Sequence, residues 1–246
     1  MDATQPLIRP RWSSEHLFFG AMSLAVLAAV CLGFARSFLL RPLFPELKVP
    51  PEPFFLLHGV AFLAWFVLLV VQTTLVARGR VTLHRSTGVL GGVLATVMVV
   101  VGLTGAIIAA RRPGGFLGIP VPPLRFLAVP FFDMVLFSSL IGCALALRRD
   151  SQTHKRLMLI GSISILAAAI ARWPFGVLAG GPLLFFGLTD LFLVPLVVWD
   201  VTTRRRLHPA TLWGGLSLVL SQPLRLFLSG TDGWLAFARW LTALPG

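Results

Sequence analysis

The chain has 246 residues, of which 57% are hydrophobic and only 12% are charged. Soluble domains usually contain about 45–50% apolar and about 25% charged residues, and a chain of this length cannot hide the excess from water. The composition therefore excludes an ordinary soluble domain and predicts an integral membrane protein. The net charge of +12 would suggest nucleic-acid binding in a soluble protein. Here the basic residues form short clusters between apolar runs, as in cytoplasmic loops, so we exclude nucleic acid as a partner.

Apolar runs bounded by charges or by Pro/Gly clusters divide the whole chain. An α-helix needs about 20 residues to cross a hydrocarbon core of about 30 Å, and isolated strands cannot cross it with unpaired backbone groups. The pattern predicts an all-α polytopic membrane helix bundle of about seven transmembrane helices, in a single domain over residues 1–246. The predicted spans are residues 17–36, 54–77, 86–110, 126–147, 157–178, 182–199 and 210–229.

Loop charges predict the orientation of this bundle. Loops 78–85, 148–156 and 200–208 are basic, loop 41–53 is balanced, and loop 111–125 is a basic exception. Because cytoplasmic loops carry the excess of Lys and Arg, we expect the N-terminus inside and the odd-numbered helices running outward.

The two ends of the chain carry further signals. Asp2 stands in what would be the basic region of a signal peptide, so the first apolar run is predicted to be an uncleaved span. Near the C-terminus, Trp234 and Trp240 favour a short helix over residues 232–244 that lies on the outer interface, where tryptophan is enriched.

Polar residues on several predicted spans fall in the outer half of the bilayer. Charges inside a membrane are costly and usually face a partner or a water-filled cavity, so these residues predict a shared pocket. Its arginines suit an anionic ligand, since guanidinium binds carboxylate or phosphate with paired hydrogen bonds. The alternative is a structural role, in which Asp133–Arg172 and Asp190–Arg225 are salt bridges between helices. The predicted pocket consists of His58, Asp133, Arg172, Asp190 and Arg225.

Histidines cluster at the predicted inner ends of the helices. His84 and His154 open the third and fifth spans at equal depth, and two histidines on different helices are what a b-type haem needs as axial ligands. We therefore consider them candidate haem ligands, with nearby basic residues as partners for the propionates. His58 lies a whole span away and cannot join them. The alternative is that the inner histidines only bond headgroups or loop carbonyls. No Cys/His cluster with zinc-ligand spacing occurs.

Six segments of the chain carry a resemblance to known proteins: HGVAFLAWFVLLVVQTTLVARGRVTLHRSTGVLG (58–91), FFDMV (131–135), THKRLMLI (153–160), IARWP (170–174), FFGLTDLF (185–192) and RRRLHPATLWGG (204–215). With them, most of the chain after residue 30 resembles a widespread family of uncharacterised bacterial multi-pass inner-membrane proteins. The resemblance implies a multi-pass fold in the bacterial inner membrane and no established activity. The residues around His84 and His154 also resemble small four-helix membrane proteins suspected of haem or copper handling, and b-type membrane cytochromes.

Three functional hypotheses follow from these residues. The first is a haem-binding or quinone-linked membrane redox protein, with His84 and His154 as ligands. The second is a transporter or ligand-binding protein whose outer pocket takes a small anion or couples to protons through Asp133 and Asp190. The third is an assembly partner that acts only by binding other membrane proteins. Membrane lipids are partners in all three, and the catalytic residues, if any, are not identified by the sequence.

Overall fold

A computed structural model describes residues 13–45, 53–116 and 118–243 of the chain. Throughout these ranges the regular elements are helices and no strand occurs, which confirms the predicted all-α class. The α-helices are α1 (Ser14–Phe34), α2 (Pro53–Ala77), α3 (Val81–Arg111), α4 (Pro123–Phe126), α5 (Ala128–Ala146), α6 (Ser151–Ser164), α7 (Ala167–Ile170), α8 (Gly181–Asp190), α9 (Val194–Arg204), α10 (Pro209–Ser229) and α11 (Asp232–Ala243).

Six stretches of the described chain are long and apolar enough to cross a bilayer, which confirms a multi-pass membrane protein. The predicted seventh span forms α10, a helix of 21 residues that is not among these six. Gln222 and Arg225 lower its hydropathy, so a crossing by α10 stays a prediction. The six stretches are Ser14–Leu39, Pro53–Ala77, Val81–Arg111, Pro123–Ala146, Ser151–Ile170 and Gly181–Arg204.

The fifth membrane stretch starts earlier and ends earlier than the predicted 157–178. Asp150 caps α6, because its Oδ1 accepts hydrogen bonds from the backbone N–H groups of Gln152 (2.9 Å) and Thr153 (3.3 Å). The Thr153 hydroxyl also donates to Oδ2 (2.6 Å), and these bonds hold the pKa of Asp150 below its usual value. The prediction treated the charges at 155 and 156 as loop residues, whereas Arg156 is buried inside the bundle.

The sixth stretch is not one uninterrupted α-helix. It consists of α8 and α9 joined by a 3₁₀ turn at Leu191–Leu193, and it extends to Arg204 rather than to residue 199. Pro195 stands in the first turn of α9, where its missing N–H does not interrupt a helical hydrogen bond.

Helix α6 lies at the centre of the bundle, and α1, α5 and α10 pack against it. Helix α2 packs on α1, α3 packs on α2, and α3 also packs on α5. These contacts connect α1 to α5 through α2 and α3. Large apolar side chains remain exposed on the outer surface, as expected where hydrocarbon replaces water; examples are Leu183, Phe175 and Phe227.

Helices α1 and α7 approach so closely that only glycine fits at Gly33. A Cβ atom there would lie 2.1 Å from the carbonyl oxygen of Ala169, which is backbone and cannot move aside cheaply. The Trp173 indole fixes the same contact by donating to the carbonyl oxygen of Ala29 (3.0 Å).

The predicted C-terminal helix is present as α11. It buries Trp234 and Ala238, and the Trp234 indole donates to the carbonyl oxygen of Leu124 in α4 (2.8 Å). Its predicted last residue, Leu244, lies outside the described residues, and its depth in the membrane stays a prediction.

Candidate functional site

The end of the bundle that holds Val81, Ser151 and Pro209 is called the inner end below, and the opposite end the outer end. The two candidate haem ligands meet at the inner end. His84 in the first turn of α3 and His154 in the first turn of α6 have ring centroids 6.4 Å apart, with an angle of 76° between the ring planes. Both side chains are half-buried. The structure therefore brings together two histidines that are 70 positions apart in the sequence.

The ring of His154 is held by the backbone of the neighbouring helix. Its Nδ1 lies 2.8 Å from the carbonyl oxygen of Ala144 in α5, and a carbonyl oxygen can only accept. Nδ1 therefore carries the proton in the neutral ring. The lone pair is then on Nε2, which is the nitrogen available to a metal.

The ring of His84 is controlled by the side-chain amide of Gln72. This amide reaches Thr87 Oγ1 (2.9 Å) and also lies 2.5 Å from Nδ1 of His84. With the amide nitrogen toward the ring, it also donates to the His84 carbonyl oxygen (3.2 Å), and the amide oxygen accepts from the Gly88 backbone N–H (3.2 Å) and the Thr87 hydroxyl (2.9 Å). This orientation satisfies both ends of the amide, so Nδ1 accepts and the proton sits on Nε2. A metal on Nε2 would require the amide to turn its oxygen toward Nδ1.

Two features of α3 bear on the room near the pair. A Cβ atom on Gly88, one turn beyond His84, would meet nothing within 4 Å. A groove of about 120 Å³ lies between α3 and α5, lined by Gly92, Thr96, Ser138 and Gly142 among others. A flat group held at the histidines would find room against this face of α3.

The remaining inner histidines lie apart from this pair. His208 is the N-cap of α10, and its Nδ1 accepts from the backbone N–H of Ala210 (3.1 Å). Burial, together with the positive charges of Arg156 and Arg204, lowers the pKa of His208 below its usual value. His16 lies in the first turn of α1, where its backbone N–H donates to Ser13 Oγ (3.3 Å).

An ion pair at the inner end was missed by the sequence reasoning. Arg156 in α6 and Asp200 in α9 form a salt bridge in which both side chains are at most 1% exposed. Asp200 Oδ2 also accepts from the backbone N–H of His208 (3.0 Å) and from Thr211 Oγ1 (2.6 Å). This carboxylate thereby joins three helices. Asp200 follows the predicted span 182–199 directly, so the charge-based division placed it in a loop.

The outer end holds a second buried ion pair, between Asp133 in α5 and Arg225 in α10. The guanidinium of Arg225 also donates to the carbonyl oxygen and the hydroxyl of Ser221 (3.2 and 2.8 Å). Asp133 therefore forms a salt bridge between helices, as the structural alternative predicted, but its partner is Arg225 and not Arg172.

Asp190 joins the same face of α10 through a neutral partner. Its Oδ1 accepts from Nε2 of Gln222 (2.7 Å), and Gln222 stands three residues before Arg225. Residues three apart lie on one face of a helix. Three of the five predicted pocket residues therefore meet at one face of α10: Arg225 lies on this helix, and Asp133 and Asp190 reach it from α5 and α8.

The other two predicted pocket residues form a separate set. His58 stacks on Phe62 (centroids 4.3 Å apart) and its Nδ1 lies 3.3 Å from the carbonyl oxygen of Val101. Arg172 is exposed, donates to the carbonyl oxygen of Ala168 (2.6 Å) and lies over the ring of Phe34. Within the described ranges, no hydrogen bond or ion pair joins this set to the α10 set.

Comparisons of the chain with protein-family models, with curated proteins and with solved structures found no match.

Proposed function

We propose that the protein is a membrane redox protein that holds a b-type haem between His84 and His154. The observation that supports this is the juxtaposition of the two imidazoles from different helices, 6.4 Å apart. A metal–imidazole bond is about 2 Å long and the nitrogen lies about 1 Å from its ring centroid, so this separation would leave space for one metal ion between the two rings. Haem, when bound, supplies a one-electron couple on its iron.

The residues around the pair fit such a group. His84 and His154 would hold the iron, and the open side of Gly88 would leave room for a flat group beside them. Exposed arginines on both adjoining loops suit the anionic propionates through charge-assisted hydrogen bonds. These arginines are Arg78, Arg80, Arg85, Arg148 and Arg149.

Two neighbouring groups orient the ligands. The Ala144 carbonyl oxygen holds the proton of His154 on Nδ1, and it fixes the ring because backbone cannot rotate away. Gln72 would have to turn its amide oxygen toward Nδ1 of His84, where it would accept the Nδ1 proton and leave Nε2 for the metal. Both rings are half-buried, which would limit the access of water to a bound iron.

The test is the absorption spectrum of the purified protein in detergent, as isolated and after dithionite, from cells supplied with a haem precursor. We expect a stoichiometric Soret band that sharpens and shifts on reduction. His84→Ala and His154→Ala should each lose the pigment, while His16→Ala, at the same end of the bundle, should keep it.

Size-exclusion chromatography and circular dichroism of each variant separate loss of haem from loss of fold. A well-folded, colourless wild type would contradict the proposal. So would full pigment in both histidine variants, because the iron would then have other ligands.

A second candidate function is proton-coupled transport, favoured by the convergence of Asp133, Asp190 and Arg225 on one face of α10. Among the described residues, Asp190 has the neutral amide of Gln222 as its sole hydrogen-bond partner, so its proton is the easier one to exchange. Proton flux into proteoliposomes under a membrane potential, followed with an internal pH dye, tests this reading. We expect flux in the wild type and its loss in Asp190→Asn; equal flux in both, or none in the wild type, would exclude Asp190 as a carrier.

A further inference from the structure

A polar cleft opens at the inner end, away from the histidine pair. It has a volume of about 250 Å³ and lies between the start of α1, the first turns of α6 and the end of α9. Ligand pockets for drug-sized molecules hold about 300–1,000 Å³, so this cleft suits a smaller group. Its lining combines charged, hydroxyl and aromatic side chains: Ser14, Glu15, Gln152, Arg156, Trp199, Thr203 and Arg204.

The two carboxylates at the cleft already accept hydrogen bonds from, or form ion pairs with, neighbouring side chains. Asp200, behind Arg156, accepts hydrogen bonds from three residues. Glu15 forms an ion pair with Lys155 and accepts from Gln152 (3.2 Å). Both carboxylates already have partners within the protein, so we do not expect the cleft to bind a cation.

The two arginines at the cleft still have N–H donors without a partner among the described residues. Arg156 has five N–H groups, of which Nε and one on Nη2 bond Asp200, and both on Nη1 bond Gln152. One N–H on Nη2 is left on a side chain that is 1% exposed and lines the cleft. Arg204 makes no hydrogen bond or ion pair with any residue in the described ranges. Arg204 and this N–H are donors that an anion can satisfy.

We propose that this cleft binds the phosphate of an anionic phospholipid headgroup. Arg204 and the remaining N–H of Arg156 bond the phosphate oxygens, while Ser14 and Thr203 offer hydroxyl groups beside them. The start of α1 adds a favourable dipole for a negative charge. A basic pocket between membrane helices at the cytoplasmic surface is a recognised way to hold such headgroups.

The surroundings favour a lipid over a soluble phosphate. Trp199, which lines the cleft, stacks on Phe18 with ring centroids 4.6 Å apart, and paired aromatic rings of this kind suit the headgroup level of a bilayer. Leu17 and Val198, beside these two rings in the sequence, are both more than half exposed and offer apolar surface to acyl chains.

The test is the rise in melting temperature of the full chain in detergent on titration with short-chain phosphatidylglycerol, short-chain phosphatidylcholine or inorganic phosphate. We expect saturable stabilisation by phosphatidylglycerol and much less by phosphatidylcholine, whose choline would lie among the basic side chains. Arg204→Gln should weaken the apparent affinity about fivefold, the equivalent of roughly 1 kcal/mol per basic residue near a membrane surface. Glu15→Gln should strengthen it, because it removes a nearby negative charge, and a damaged fold does not produce that sign.

Arg206→Gln is the matched control, since it removes the same charge from the same basic run outside the cleft lining. Equal weakening by Arg204→Gln and Arg206→Gln would overturn the site in favour of general surface charge, as would equal responses to the two lipids. Stabilisation by inorganic phosphate alone, sensitive to Arg204→Gln, would keep the phosphate site and overturn the lipid as its source.

Discussion

Two buried ion pairs, one at each end of the bundle, are built differently. At the inner end, the Asp200 carboxylate accepts from Arg156, from the His208 backbone and from the Thr211 hydroxyl. At the outer end, Asp133 accepts from Arg225 alone among the described residues, and the arginine finds its other acceptors on its own helix and on Val129. Taking charge out of water is stabilising only if further hydrogen bonds complete the pair, so the inner pair is the better compensated.

The difference bears on the two proposed functions. The inner carboxylate ties α6, α9 and α10 together, and His154 stands two residues before Arg156 on α6. A rigid inner end therefore supports the proposed haem ligand. The outer pair ties only α5 to α10 and leaves Asp190 with a neutral partner, as expected of a region in which a proton or an ion can be exchanged.

The largest effect is expected from Asp200→Asn. The change leaves Arg156 buried without its counter-charge and turns one acceptor oxygen into a donor that faces other donors. Breaking a buried pair on one side costs about 3–5 kcal/mol. Thermal or denaturant unfolding of the purified protein in a fixed detergent measures the loss. Thr211→Val, which removes one hydrogen bond to the same carboxylate, is the control and should cost about 1 kcal/mol.

A loss below 1 kcal/mol for Asp200→Asn would show that Arg156 is not desolvated as the structure has it, and the contrast between the two ends would disappear.

A smaller loss is expected from Asp133→Asn, of about 3 kcal/mol, at the low end of the range for a broken buried pair. Arg225 keeps its bonds to the carbonyl oxygen and hydroxyl of Ser221, so less is lost than at the inner end. The same unfolding measurement applies. Asp190→Asn is the matched control, because asparagine can still accept from Gln222, and it should change stability by about 0.5 kcal/mol or less.

Equal losses from Asp133→Asn and Asp190→Asn would contradict the pairing of Asp133 with Arg225.

The smallest effect is a pH dependence at His208. Burial lowers its pKa in the folded protein below the value of about 6.5 that it has when unfolded. Between those two values the unfolded state binds more protons, so stability falls as pH falls through about 6.5. Protonation at Nδ1 also removes the acceptor that caps α10. Melting temperatures at about pH 8 and about pH 5.5 should differ more in the wild type than in His208→Asn, whose side chain caps the helix without titrating.

An identical pH dependence in the wild type and in His208→Asn would exclude His208 as the group responsible.

The sequence alone predicts the fold class and, for most residues, the depth in the membrane, because long apolar runs and basic loops are local signals. It places His84 and His154 at one end of the bundle for that reason. It does not give helix neighbours: that α6 meets α3 across the end of α5, or that Asp133 meets Arg225, depends on packing between distant segments. The sequence-based prediction of span boundaries is also wrong where a charge is buried with a partner, as at Arg156 and Asp200. In the sequence, the charged residues of a buried ion pair cannot be distinguished from the charged residues of a loop.

The measurement that most directly tests the account compares haem content per protein, by absorption after identical purification, in the wild type, His154→Ala and Asp133→Asn. The account predicts equal haem in the wild type and in folded Asp133→Asn, and none in His154→Ala. Pigment that survives in His154→Ala, or that is absent from all three folded proteins, would contradict a haem site at the inner end.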